Sequence, residues 1–268
     1  MRSTYARDAY SDQPMSPIFR AVRLVPPAPA GGGRGGRKLF RPSVAATGYK
    51  HDMDATQFIQ ELETFKADRL LPIVDAGRTS LTDGTPGDAK KMLQVALANE
   101  ISISEVAAAW MPTAPEIDVK LALARQAGDE AGHFQLVADR LAAFGFVVGE
   151  FAMPDNPLFQ YLKGLSTTVE RVAAGLFTLE SIAYAVNENF MKFCEQHGDA
   201  ETVRIYREYI QPDERAHQQL GQRLLARYAT TPELQRVARE TVGKVLDIAA
   251  AGRAKAAERM GTACFPGC

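Results

Sequence analysis

The feature that most constrains this chain occurs twice. Asp129-Glu130-Ala131-Gly132-His133 and Asp213-Glu214-Arg215-Ala216-His217 both read D-E-x-x-H, and both sit deep inside long helical patterns. A Glu and a His three positions apart lie on one helix face, so each signature offers a carboxylate and an imidazole to the same point in space. Upstream of each stands another glutamate in an apolar helical run, Glu100 in LQVALANEISIS and Glu180 in AAGLFTLESIAYA. The steps from Glu100 to Glu130 and from Glu180 to Glu214 are 30 and 34 residues, one helix out and one helix back. The chain therefore reads as two helical hairpins carrying four carboxylates and two imidazoles, a set able to hold two metal ions. Surface charge is a poor explanation, because Glu100 and Glu180 lie among Leu97, Ile101, Ile103, Leu176, Phe177 and Ile182. An unpaired carboxylate buried there is costly.

The aspartate before each signature extends the pattern. A metal-bound imidazole usually donates its second N–H to a carboxylate or carbonyl, which fixes its tautomer and ring orientation. Asp129 and Asp213 are one helical step from the ligand glutamates and turned toward a neighbouring helix. Each is expected to orient the histidine of the facing signature.

Capping and breaking signals place the helices. A short amphipathic helix is predicted over 54–70, with Phe58, Ile59, Leu62, Phe65 and Leu70 on one side, before the turn-rich TSLTDGTPGD. Asp88 is an N-cap for a helix to about Met111, stopped by Pro112 and Pro115. The next helix starts at Pro115-Glu116 and ends at Phe144-Gly145. Residues 146–166 form a long connection with one helical turn near Leu158–Leu162. Thr167-Thr168-Val169-Glu170 is a capping-box pattern opening a third helix that closes at Gly198. The fourth runs from Asp199 to Ala229, bent by Pro212 two residues before Glu214. A fifth, from Thr231-Pro232-Glu233 to about Met260, carries an apolar stripe that would pack on the bundle or pair with another subunit. The tail GTACFPGC has a C-x-x-x-C spacing compatible with a redox pair, but a short terminal segment of this kind is expected to fray.

Charge is unevenly spread. Residues 1–50 carry a net +7 against −8 for the remainder, which argues against a nucleic-acid-binding core. The first 52 residues include PPAPAGGGRGGRK without a sustained apolar period and read as a disordered basic extension. No apolar run is long enough to span a membrane, no secretory signal is evident, and Cys194, Cys264 and Cys268 do not form a disulfide framework. These points lead us to expect a cytoplasmic protein without membrane contact.

The stretch LARQAGDEAGHFQLVADRLAAFG, with DERAH further on, resembles the ferritin-like di-iron carboxylate oxygenases. It looks most like the catalytic subunit of phenylacetyl-CoA epoxidase and its relatives, and somewhat like tRNA hydroxylases of the same fold. The likeness covers about residues 88–229. It implies an all-α fold: a ferritin-like four-helix bundle with an additional short N-terminal helix and a fifth long C-terminal helix. The domain plan is then an extension over 1–52, a ferritin-like di-iron domain over 53–260 and a tail over 261–268. By the same resemblance Glu100, Glu130, His133, Glu180, Glu214 and His217 would bind two iron ions, with manganese as the alternative metal. Dioxygen would be a co-substrate, reduced with insertion of one oxygen atom into a small organic substrate. At two positions the chain departs from relatives of this fold. Val137 stands where the radical-generating ribonucleotide reductase subunit has tyrosine, and Tyr184 where many multicomponent monooxygenases have threonine.

Residues one turn from a ligand, Leu97, Ser104, Phe134, Phe177, Ala183 and Tyr184, are candidates for the substrate side of the site. No flavin, nicotinamide or iron–sulfur motif is present, so electrons would come from an external electron-transfer protein or reductase. We expect a homodimeric monooxygenase. The competing reading is a ferritin- or rubrerythrin-like protein that oxidises or stores iron.

Overall fold

The structure, a computed structural model, describes residues 54–85, 87–150 and 156–267. The basic extension lies outside these residues. Among them there is no strand. Helices α1 (Ala55–Thr82), α2 (Ala89–Trp110), α3 (Ile117–Ala143), α4 (Pro157–Lys163), α5 (Thr168–Val172), α6 (Glu180–Gln196), α7 (Ala200–Ile205), α8 (Gln211–Tyr228) and α9 (Pro232–Met260) follow in order.

Local chemistry explains most of their ends. Asp88 accepts from the backbone N–H of Lys90 at 3.0 Å, and the Thr167–Glu170 capping box is complete. Gly145 and Gly198 adopt φ of 71° and 73°, a left-handed turn that a side chain would strain, so α3 and α6 stop there.

Side-chain bonds give the directions of the rods. Lys90, at the start of α2, donates to the Phe144 carbonyl beyond the end of α3, and the Ser104 hydroxyl donates to the Ala127 carbonyl. This hairpin is therefore antiparallel. Gln211, opening α8, donates to the Tyr184 carbonyl on α6, while Arg207 pairs with Glu195, so α6 and α8 are antiparallel too. Helices α1 and α9 pack on the α6–α8 side. Asn189 donates to the Val74 carbonyl, Arg69 pairs with Asp247, and Phe65 lies against Gly243. The fifth helix thus packs within its own chain.

Three expectations need correction. Helix α1 is not short: it runs 28 residues through Pro72 and absorbs the first residues of the supposed loop. Pro72 forfeits one backbone bond, but Ile73 and Gly77 beyond it are buried against the neighbouring helices, and tertiary burial outweighs local propensity. The tail does not fray. Cys264 and Phe265 are buried, the Cys264 thiol donates to the Gly77 carbonyl, Gly267 N–H donates to Asn187, and Arg253 donates to the Phe265 carbonyl. Burial pushes the Cys264 thiol above its ordinary range, which makes it a structural cysteine, and Cys268 lies outside the described residues.

The third correction concerns the third and fourth rods, which are not regular α-helices. A π-helical turn, Ala173–Leu179, joins α5 to α6 and delivers the chain to Glu180. Another, Tyr206–Ile210, joins α7 to α8 just ahead of Pro212 and Glu214. A π turn adds a residue to the helical circuit and re-aims every side chain after it, and such turns gather at functional sites. The carbonyls that the first wide turn disturbs are met by hydroxyls: Thr178 donates to Ala173 O and Ser181 to Phe177 O, both at 2.6 Å.

Helix α8 lies flush on that turn. A Cβ on Gly221 would stand 2.7 Å from Phe177 N and 2.8 Å from Leu176 C, both backbone atoms that cannot swing aside. Gly221→Ala is therefore expected to destabilise the protein by about 1–3 kcal/mol, read as a lower urea midpoint at unchanged slope. An unchanged midpoint would contradict this packing.

Candidate metal centre

The core is split by a polar layer. Apolar side chains at one end include Met92, Leu93, Leu97, Val137, Leu141 and Ile210. Those at the other include Ile103, Trp110, Leu123, Phe177, Leu224 and Leu225. On α2, α3 and α8, residues Glu100, Glu130, His133, Glu214 and His217 occupy the gap, and Glu180 joins them from α6. All six are at most 2% exposed. Four carboxylates and two imidazoles are thus withdrawn from water at one level of the molecule, where each needs a compensating charge.

Their arrangement is two overlapping groups. Glu100, Glu130, His133 and Glu214 present ligand atoms within 4.8 Å of one another, and so do Glu130, Glu180, Glu214 and His217. Glu130 and Glu214 belong to both groups. Each group then adds one glutamate and one histidine of its own, Glu100 with His133 and Glu180 with His217. Every residue read from the sequence as a ligand is therefore in the cluster.

Both imidazoles point their Nδ1 inward. His133 Nδ1 is 3.2 Å from Glu130 and 3.5 Å from Glu100; His217 Nδ1 is 3.4 Å from Glu130 and 3.6 Å from Glu180. Their outer nitrogens are taken by the aspartates of the opposite signature. His133 Nε2 meets Asp213 at 3.3 Å and His217 Nε2 meets Asp129 at 3.0 Å. With the N–H on Nε2, the inward nitrogen keeps its lone pair for a cation. Arg125 holds Asp129 from outside at 3.2 Å.

The inner oxygens await a partner. Neither oxygen of Glu100 makes a hydrogen bond, nor does Glu130 Oε1 or His217 Nδ1. Protein groups rarely leave buried acceptors in this state, whereas a divalent cation satisfies several at once. The donor set of carboxylate oxygens and imidazole nitrogens suits iron, manganese or zinc. The site therefore fits a metal on its own chemistry.

Protonation tells the same story. Burial alone would raise Glu130, but the neighbouring imidazoles of His133 and His217, 3.2 and 3.4 Å away, outweigh it and hold the carboxyl well below the ordinary range. Glu100 is pushed well above its ordinary value, chiefly by burial. Burial opposes charge on His217 too, yet Glu180, Asp129 and Glu130 win and push it up to about 12. His133 is raised in the same way by Asp213, Glu100 and Glu130. A histidine raised in the fold adds stability that is complete below its unfolded value near 6.5 and disappears only as pH climbs through the folded value. The metal-free core is thus held at neutral pH by two imidazolium ions that stand where cations would. Metal must displace them. Loading with a divalent cation at pH 7 should release at least the two imidazolium protons per chain, with more from Glu100 to the extent that it is protonated, and affinity should rise with pH. Calorimetry in buffers of different ionisation enthalpy measures the release; heats independent of buffer would contradict it.

Among the proposed substrate-side residues, Leu97, Phe177 and Ala183 are fully buried. The Phe177 ring lies under the Lys66 ammonium at 3.7 Å, and Ala183 lies against Gly267. Ser104 is tied to Ala127, Phe134 is partly buried, and the Tyr184 carbonyl is held by Gln211. A narrow, mainly apolar void has other walls, among them Ile103, Trp110, Gln126, Gly175 and Leu179. Sequence reasoning passed over Gln126. It is buried, and its amide N–H donates to Glu180 Oε1. The signal was its place one turn before Glu130 on the ligand face.

These observations define a protein that is all-helical among its described residues, with a buried carboxylate and imidazole cluster able to hold metal. Residues 92–260 match the family described as Protein of unknown function (DUF455), and the chain belongs to that family. The matched span contains both signatures and all six candidate ligands. No curated protein and no solved structure matches the chain significantly. No helix among the described residues is long and apolar enough to cross a membrane.

Proposed function

We propose that this protein is a non-haem di-iron oxygenase built on a ferritin-like four-helix bundle. The four rods would be α2, α3, α5–α6 and α7–α8, with α1 and α9 as additions. The observation that carries the reading is the pair of four-ligand groups sharing Glu130 and Glu214. Two divalent ions balance four carboxylates, and two shared carboxylates suit a pair of ions better than two separate ones. Iron bound there would supply reduction of dioxygen and transfer of one oxygen atom to a small organic substrate, with electrons from an external reductase.

The chain's own residues have defined tasks. Glu100 and Glu180 would each hold one ion, and Glu130 and Glu214, which belong to both groups, would contribute to both. Asp129 and Asp213 keep the outer imidazole N–H groups engaged, so the inner nitrogens stay aimed at the metal. The apolar clusters above and below the polar layer keep water away from the reacting atoms.

Iron oxidation or storage is the second reading, favoured by the same ligand set. The two differ in stoichiometry. An oxygenase takes up about two irons per chain and gives a transient absorbance when its Fe(II) form meets dioxygen. Continued uptake of iron far beyond two per chain would favour storage, and absence of uptake would overturn both.

A further inference from the structure

The two halves of the centre look alike in sequence but are not supported alike. Aligning the signatures sets Gln126-Ala127-Gly128-Asp129-Glu130 against Ile210-Gln211-Pro212-Asp213-Glu214. The position one turn before the shared glutamate is thus an amide in one half and an aliphatic side chain in the other. Both are buried, Gln126 at 1% and Ile210 at 0% exposure.

Gln126 donates its amide N–H to Glu180 Oε1. Its Oε1 has no hydrogen-bond partner and faces the π turn, 3.9 Å from where a Cβ on Gly175 would be. With the N–H side of the amide turned to Glu180, the oxygen at the other corner of the same planar group points away from it. Each outer glutamate has its own imidazole nearby, His133 Nδ1 3.5 Å from Glu100 and His217 Nδ1 3.6 Å from Glu180, but Glu100 receives no amide bond of the kind that Gln126 makes to Glu180.

We propose that Gln126 is a positioning residue that makes the two metal halves unequal: it fixes Glu180 in advance for the ion shared with His217, while the ion of Glu100 and His133 is held by a carboxylate with no such support. This rests on the di-metal reading above. Outer partners that orient a ligand typically account for about 10–100-fold in metal affinity. Here that factor falls on one ion alone.

The protein supplies its own reporter. Trp110 is the chain's single tryptophan, and its ring lies 3.1 Å from the same Gly175 Cβ position that the Gln126 oxygen faces. Trp110 therefore stands beside the Gln126 that contacts Glu180, and a paramagnetic ion taken up beside Glu180 is expected to quench its emission more than one taken up beside Glu100.

The test is a titration of the metal-free full chain with Co(II), followed by visible absorbance and by Trp110 fluorescence. Wild type is expected to bind two ions in two resolvable steps. Gln126→Met, which keeps the bulk and loses the amide, should weaken the quenching step by about 10–100-fold and leave the other within about threefold. Gln126→Glu, which keeps a polar side chain but replaces the donor by an acceptor, should weaken the same step at least as much. Thermal melting of each metal-free variant controls for folding. Equal weakening of both steps, weakening of the non-quenching step alone, or no weakening in both variants overturns the proposal while leaving the di-metal reading intact. Failure of wild type to bind Co(II) overturns both.

Discussion

Glu214→Ala is expected to empty the whole centre, lowering bound metal from about two ions per chain to nearly none, and Glu130→Ala to do the same. Each of these carboxylates belongs to both four-ligand groups, so its removal takes a ligand from each ion and the charge that offsets both. Glu100→Ala is expected to behave differently, losing about one ion, because Glu100 serves only the group containing His133. Metal analysis after dialysis, with circular dichroism to confirm the helices, separates the cases. Retention of both ions by Glu214→Ala, or equal losses in all three variants, would contradict the sharing.

Glu100→Leu is the second large effect, and it concerns stability. In the metal-free protein this carboxyl is fully buried and has only a long contact to His133 Nδ1 at 3.5 Å in place of good hydrogen bonds, a state that costs about 1–3 kcal/mol. Leucine has comparable bulk and no such penalty. The variant should therefore be more stable than wild type in the absence of metal by about 1–3 kcal/mol, although it loses an ion. The effect has a sign in pH. Burial raises the folded-state value of Glu100 above its unfolded value near 4.5, so its contribution is intact below that value and is lost as pH rises through the folded one. The advantage of Glu100→Leu should be small near pH 4 and grow above it. Denaturant unfolding of metal-free protein across pH checks both size and trend; a less stable variant at pH 7 would contradict the account.

Function and stability thus pull in opposite directions at this level of the core. The six ligands are worst placed, energetically, when no cation is present, and two imidazolium ions fill in. That tension is expected of a site kept for chemistry rather than for packing.

Much of this was legible in the residues because the signals were local. Asp88, Thr167 and Gly198 mark helix ends through short-range hydrogen bonds or backbone conformation. The spacing Glu-x-x-His fixes a face, and Asp129 and Asp213 follow from the need to orient an imidazole. What escaped depends on distant partners. Helix α1 continues past Pro72 because Ile73 and Gly77 find burial elsewhere, and the tail is held by Gly77, Asn187 and Arg253. The π turns have no side-chain signature, though Pro212, which cannot donate to the preceding turn, hinted at the second. Gln126 carried a local signal, its place one turn before Glu130 on the ligand face, but its contact with Glu180 joins two helices that the sequence does not pair.

The most direct test of the central claim is a crystal structure of the iron-loaded protein with anomalous scattering at the iron edge. The account predicts two peaks, one touching Glu100 and His133, the other touching Glu180 and His217, with Glu130 and Glu214 in contact with both. A single peak, peaks away from these six side chains, or none would contradict it.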